Sequence, residues 1–193
     1  MMRPVFLGAA LVSIMAAYLL PWQGWFGFFP KHMVQHMVLV AIAAPLMVLA
    51  LNGRARWAPP VMAGAVIEFV VVWGWHLPQL HGLGCLGGPW KIVEQASFFG
   101  AGLLVWAGAL NTDQPLAGAG SLLLTSMHMT LLGALLTLAP SPLYLETCAL
   151  CGGLGPQQTG GMLMLAIGTP IYLLGGLWLT ARALGPDPER STA

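Results

Sequence analysis

Charge is scarce in this 193-residue chain: Asp, Glu, Lys and Arg together make up 7% of it, against about 25% in a soluble domain. A water-exposed surface with so few charges would precipitate, so lipid is the expected solvent. The 7 basic and 6 acidic side chains leave a net charge of +1, with no run of like charges. That balance excludes an electrostatic nucleic-acid binder, which needs a basic patch. The glycine-rich stretches Gly152–Gly153 and Gly160–Gly161 lack the Gly-Lys-Ser/Thr ending that cradles phosphate. No Ser/His/Asp set and no paired carboxylates gather near the expected outer face, which argues against hydrolysis.

What the chain does have is long apolar runs, with 58% hydrophobic residues. A spanning helix needs about 20 mostly apolar residues. Six stretches meet that ruler, at residues 4–20, 32–51, 59–77, 90–110, 120–139 and 160–181. Helix breakers stand between them: Pro21, Pro30, Pro59–Pro60, Pro78, Pro140, Pro142 and Pro156. The expected fold is all-α, a single membrane domain of about six transmembrane helices over residues 1–193. The first stretch also reads as a signal peptide with Arg3 as its basic region. The missing small-x-small cleavage site before Pro21, and the interfacial pattern of Trp22 and Trp25, favour a retained helix. Gly175–Gly176 in the sixth stretch suits close helix packing.

Basic residues set the expected orientation. Arg3, Arg54, Arg56, Arg182 and Arg190 fall on one side of a six-span topology, and Lys31 and Lys91 on the other. The positive-inside rule then puts both termini in the cytoplasm. The same topology gathers His32, His36, His76, His81, Glu94 and all 3 Cys in or near the outer leaflet.

His32 and His36 lie one turn apart on a single helix face, and Met33 and Met37 repeat that spacing on the adjacent face. Imidazole suits copper, zinc and iron, and thioether favours Cu(I). The plainer reading is an interfacial His pair bonded to carbonyls, with the Met residues in lipid. His76 closes the third stretch just before Pro78, as a metal ligand or as one more member of an aromatic belt. His128 is expected deep in the fifth stretch, where it needs a partner such as Glu68. Glu94 reads either as a carboxylate that orients a ligand His or as an acid at a helix start. Cys148 and Cys151 form a Cys-x-x-Cys outside any thioredoxin-like pattern. On an oxidising face a disulfide is expected, with Cys85 able to bridge to either, and a Cu(I) thiolate role is the alternative.

Several ordered blocks resemble the polytopic CtaG-type cytochrome c oxidase assembly factors. They are His32-Met-Val-Gln-His36-Met continuing to Ala44-Pro45-Leu46, Trp73-Gly-Trp75-His76-Leu-Pro78, and Glu94-Gln-Ala-Ser97-Phe98 running to Gly102 and Trp106. His128 with Gly133, Pro142-Leu-Tyr144, and Gln157-Gln158-Thr-Gly160-Gly161-Met162 follow. Pro156 stands where that family usually carries Asp, and the Cys-x-x-Cys is not a general feature of it. The resemblance implies a non-enzymatic factor of the bacterial cytoplasmic membrane that helps mature a haem–copper oxidase. Its expected partners are an oxidase subunit or other assembly factors, and its expected cargo is copper as Cu(I). His32, His36 and His76 are the expected ligands, with Met33, Met37 and His128 as auxiliaries. Two alternatives remain at this point: a haem b-binding electron carrier or quinol-linked protein with Gly74 or Gly133 making room for the ring, and a structural assembly partner without metal.

Overall fold

In lipid, each backbone N–H and C=O must be paired inside the chain, and a helix does this within one segment. The computed structural model describes residues 3–51 and 57–185, and among these residues there is no strand. The helices are α1 (Pro4–Leu19), α2 (Trp22–Phe26), α3 (Phe28–Leu51), α4 (Val61–Trp75), α5 (Pro78–Cys85), α6 (Gly88–Leu110), α7 (Pro115–Leu138) and α8 (Leu154–Leu184). The all-α membrane bundle expected from the apolar runs is what forms.

Among the described residues α3, α6, α7 and α8 are long and apolar enough to cross a bilayer. The pair α4–α5 makes a fifth candidate, bent by 75° at its break, and α1 is a shorter apolar helix. Each expected stretch falls on one of these helices, with shifted ends. Pro30 and Pro156, expected as breakers, sit instead in the first turns of α3 and α8, where a missing N–H costs nothing. The segment after Pro78, expected as an outer loop, is helix α5. Pro78 takes its first position, Leu77 ahead of it is extended at ψ 135, and the chain therefore turns sharply there. Arg54, Arg56 and Arg190, which carried part of the orientation argument, lie outside the described residues.

The bundle is organised around α3. It widens to a π-helix over Val38–Ala43, one residue short of Pro45, whose missing N–H and ring disturb the regular ladder. The released Val40 carbonyl accepts the Trp106 indole N–H at 3.0 Å and lies 3.1 Å from the Tyr172 hydroxyl. Close crossings are set by small residues. A methyl at Gly102 would stand 2.9 Å from the Val40 Cα, so α6 lies directly on α3. α7 and α8 pair along their length, joined by hydrogen bonds from Ser126 to the Thr169 carbonyl at 3.2 Å and between Thr130 and Thr169 at 2.8 Å. α1 packs on α3 through buried Ala17 beside Val34 and Val38.

Large apolar side chains such as Val5, Val70, Leu174 and Leu177 face outward, as a lipid-solvated surface requires. Exposed Trp25 and Trp90 mark one end of the bundle, and exposed Trp57 and Trp178 mark the other. These are the two aromatic belts of a membrane protein. The first end holds the N-termini of α3, α6 and α8 and the C-terminus of α4, and the candidate site is built there.

Candidate metal centre

Four histidine rings meet just inside that end. His32 and His36 come from α3, His76 from the C-terminus of α4 and His81 from α5. Their ring centroids are 5.0 Å apart for His32–His81, 5.2 Å for His36–His76, 5.9 Å for His32–His76 and 6.4 Å for both His32–His36 and His76–His81. All four are buried, as is Glu94 of α6. Ligand atoms of His32, His81 and Glu94 lie within 4.8 Å of one another, which makes them the tightest imidazole–carboxylate set. His36 lies deeper and stacks flat on Phe98, with centroids 4.0 Å apart.

Each ring is held by identifiable contacts. His76 Nδ1 lies 2.6 Å from the Val72 carbonyl oxygen. A carbonyl only accepts, so the proton is on Nδ1 and the Nε2 lone pair is left free. The His76 carbonyl in turn accepts the Tyr144 hydroxyl at 2.9 Å. Tyr144 also stacks against Phe29 and lies 4.4 Å from the His81 ring. The loop that carries Tyr144 is clamped by Gln157, which accepts from the Leu143 N–H at 2.7 Å and donates to the Leu136 carbonyl at 3.2 Å. The final motif of the chain therefore supports the site from behind, at a distance from its ligands.

His81 reaches the cluster because α5 folds back over α6. A methyl at Gly84 would stand 2.5 Å from Glu94 Oε1, so glycine lets α5 lie against that carboxylate without displacing it. Gly87 and Gly88, at φ 75 and 56, make the reversal into α6.

Lys91, on α6 one turn before Glu94, places its ammonium 2.5 Å from Glu94 Oε2 and 3.0 Å from His32 Nδ1. Ammonium only donates, so His32 Nδ1 accepts and its proton sits on Nε2. Glu94 Oε2 also accepts from Gln95 at 3.0 Å, and Gln95 accepts the Tyr18 hydroxyl at 2.6 Å, which ties α1 to the site.

Six buried atoms in this cluster have no hydrogen-bond partner among the described residues: His32 Nε2, both nitrogens of His36, His76 Nε2, His81 Nδ1 and Glu94 Oε1. An unpaired buried polar atom costs about 1–3 kcal/mol, and native proteins keep few of them. Their convergence from four helices, α3 to α6, is what a ligand-binding centre requires. The donor set, imidazoles with one carboxylate, fits a borderline first-row metal ion.

The remaining expected residues are placed elsewhere. Met33 and Met37 turn away from the imidazoles onto α8, Met33 against Gly160 and Met37 with its sulfur 3.1 Å from where a Gly168 methyl would stand. Glu68 pairs with Tyr172, whose hydroxyl hydrogen-bonds it, rather than with His128. The His128 ring packs edge-on against Phe69, with centroids 5.3 Å apart. Gly133, expected to make room for a haem ring, is instead filled by Leu165 and the Gly161 carbonyl.

Cys85 at the end of α5 is disulfide-bonded to Cys148 in the loop after α7, and Cys151 is a free buried thiol. Burial pushes the Cys151 thiol up to about 12, against the smaller pull of Lys91.

His81, which the sequence places at the outer end without naming it a ligand, and Lys91, read there only as a basic residue, join the expected residues at the site. The signals were Gly82 and Gly84 beside His81, and the three-residue spacing of Lys91 and Glu94.

The sequence model of one family, described as "Cytochrome c oxidase caa3 assembly factor (Caa3_CtaG)", matches residues 2–185. No curated protein and no solved structure matches the chain.

Proposed function

Because the chain belongs to the cytochrome c oxidase caa3 assembly factor family, we propose that it binds copper as cargo among its buried histidines and supports delivery of that copper to the oxidase copper centre. The observation that carries this reading is the clustering of the His32, His36, His76 and His81 rings at one end of the bundle, with ligand atoms of His32, His81 and Glu94 within 4.8 Å of one another and six buried atoms of the cluster unpaired among the described residues. In this reading the copper enters at His32, His81 and Glu94, nearest the loops, with His36 and His76 deeper as further imidazole ligands. His76 is suited to the role because its Nδ1–H bond to Val72 leaves Nε2 ready to coordinate. The ion is monovalent copper, acquired and released by ligand exchange, so no covalent bond in the client is broken and no catalysis is required. Met33 and Met37 add shape and packing on α8, and His128 lies further from the entry point.

The same proposal sets the protein in a bacterial cytoplasmic membrane, with the histidine end outward and both termini in the cytoplasm. The supporting pattern is the distribution of arginines over the chain. The client is a subunit of the haem–copper oxidase, met directly or through another assembly factor.

The test is elemental analysis and a visible spectrum of the detergent-purified protein, for wild type, His36→Ala and the double variant His32→Ala/His81→Ala. Copper without a haem band, lost in the variants, supports the proposal. A reduced haem spectrum that disappears in His36→Ala would overturn it, and so would normal oxidase maturation in cells carrying the double variant.

A further inference from the structure

A second ligand set adjoins the histidine centre and shares a residue with it. Ligand atoms of His81, Cys148 and Cys151 lie within 4.8 Å of one another, and all three residues are buried. The Cys151 sulfur is 3.2 Å from His81 Nε2. His81 also belongs to the set with His32 and Glu94. The local fold explains the closeness. Ala149–Cys151 forms one tight 3-10 turn, closed by a Cys151 N–H to Cys148 carbonyl bond of 3.0 Å. That turn puts both sulfurs beside the imidazole. Gly82 lets the loop settle on α5, since a methyl there would stand 3.1 Å from Thr147. In the structure Cys148 is engaged with Cys85, so one of the two sulfurs is already bonded.

We propose that the reduced protein carries a second metal site, Cys148–Cys151–His81, for a soft monovalent cation such as Cu(I), and that the Cys85–Cys148 disulfide closes it. Opening requires a dithiol reductant. It gives two electrons and two protons to the Cys85–Cys148 bond, which breaks to two thiols, and it leaves as its own cyclic disulfide. The cation then displaces the protons of Cys148 and Cys151 to solvent and takes the lone pair of His81 Nε2. Two thiolates and one imidazole select Cu(I) over harder ions. Because His81 serves both sets, a cation passes between the thiol site and the histidine centre by exchanging ligands around one shared ring, with no free-ion step. The disulfide state thereby decides which set holds the ion. The thiol site deepens the copper reading but does not require the histidine centre to bind copper.

The test uses the full-length protein in detergent under inert gas, in its oxidised form and after dithiol reduction with the reductant removed. Each form is titrated with Cu(I) against a chromophoric Cu(I) chelator, and ultraviolet thiolate-to-copper absorption is followed. Reduced wild type should bind Cu(I) about tenfold or more tighter than the oxidised form, with that absorption present. Cys151→Ser should lose the gain. Cys85→Ser should show it without reductant. Equal affinity and no thiolate absorption in reduced wild type would overturn the proposal, a comparison that depends on no variant folding. So would retention of the full gain in Cys151→Ser. The variant His32→Ala/His36→Ala separates the two readings: loss of copper from its oxidised form with the reduction-dependent gain intact means the thiol site stands by itself.

Discussion

Lys91 holds its ammonium where a cation bound by His32 and Glu94 would have to sit, 3.0 Å from His32 Nδ1 and 2.5 Å from Glu94 Oε2. Copper and the protonated lysine therefore compete for the same two atoms. Two unit charges about 4 Å apart repel by about 4 kcal/mol at an effective dielectric constant of about 20, and by about 1 kcal/mol in water. The Lys91 side chain is 28% exposed, so it can swing outward and relieve much of that repulsion. Removing the charge with Lys91→Met should then tighten Cu(I) binding to the oxidised protein by about 1–3 kcal/mol, roughly five- to 150-fold. Lys91→Arg keeps the charge and should not tighten it. The same change strands Glu94, which is buried and loses its cation. Copper-free Lys91→Met should melt lower than wild type, and added copper should raise its melting temperature by more than it raises that of wild type. Affinity is read by chelator competition and stability by a thermal scan in detergent. If Lys91→Met and Lys91→Arg bind copper as weakly as wild type, while wild type does bind it, Lys91 is not the competing cation and the argument fails.

Gly84→Ala should leave the fold intact but weaken Cu(I) binding about tenfold, because its methyl would stand 2.5 Å from Glu94 Oε1 and a flexible carboxylate yields more easily than a helix; unchanged affinity would refute the cradle. Tyr172→Phe removes the hydroxyl that hydrogen-bonds the fully buried Glu68. It should destabilise the protein by about 1–3 kcal/mol in a denaturation scan, and an unchanged midpoint would mean that Glu68 finds another partner. Cys151, with its thiol pushed up to about 12 by burial, stays protonated below that pH. It should therefore resist alkylation at pH 8 in folded, oxidised protein and react on denaturation, as mass spectrometry can follow; rapid labelling of the folded protein would contradict its burial.

The chain's composition and its apolar runs determined that the protein is an all-α membrane bundle. That much is legible because the bilayer imposes a length and forbids unpaired backbone, two constraints that act on each segment alone. The positions of His32, His36, His76 and Glu94 along their segments were enough to bring them to one end. Which way each helix is turned about its axis is another matter. A soluble helix shows its inward face by an apolar stripe, but here the face towards lipid and the face towards the bundle are both apolar. Hence the spacing of Met33 and Met37 beside the histidines looked like a ligand set, while packing turned them onto Gly160 and Gly168. Depth alone pairs Glu68 with His128, whereas the rotation of α8 gives it Tyr172. The 75° turn between α4 and α5, the seat of His81 over Glu94, the ammonium of Lys91 and the pairing of Cys85 with Cys148 were decided by tertiary structure. Each depends on contacts between segments far apart in the chain, which local propensity does not encode.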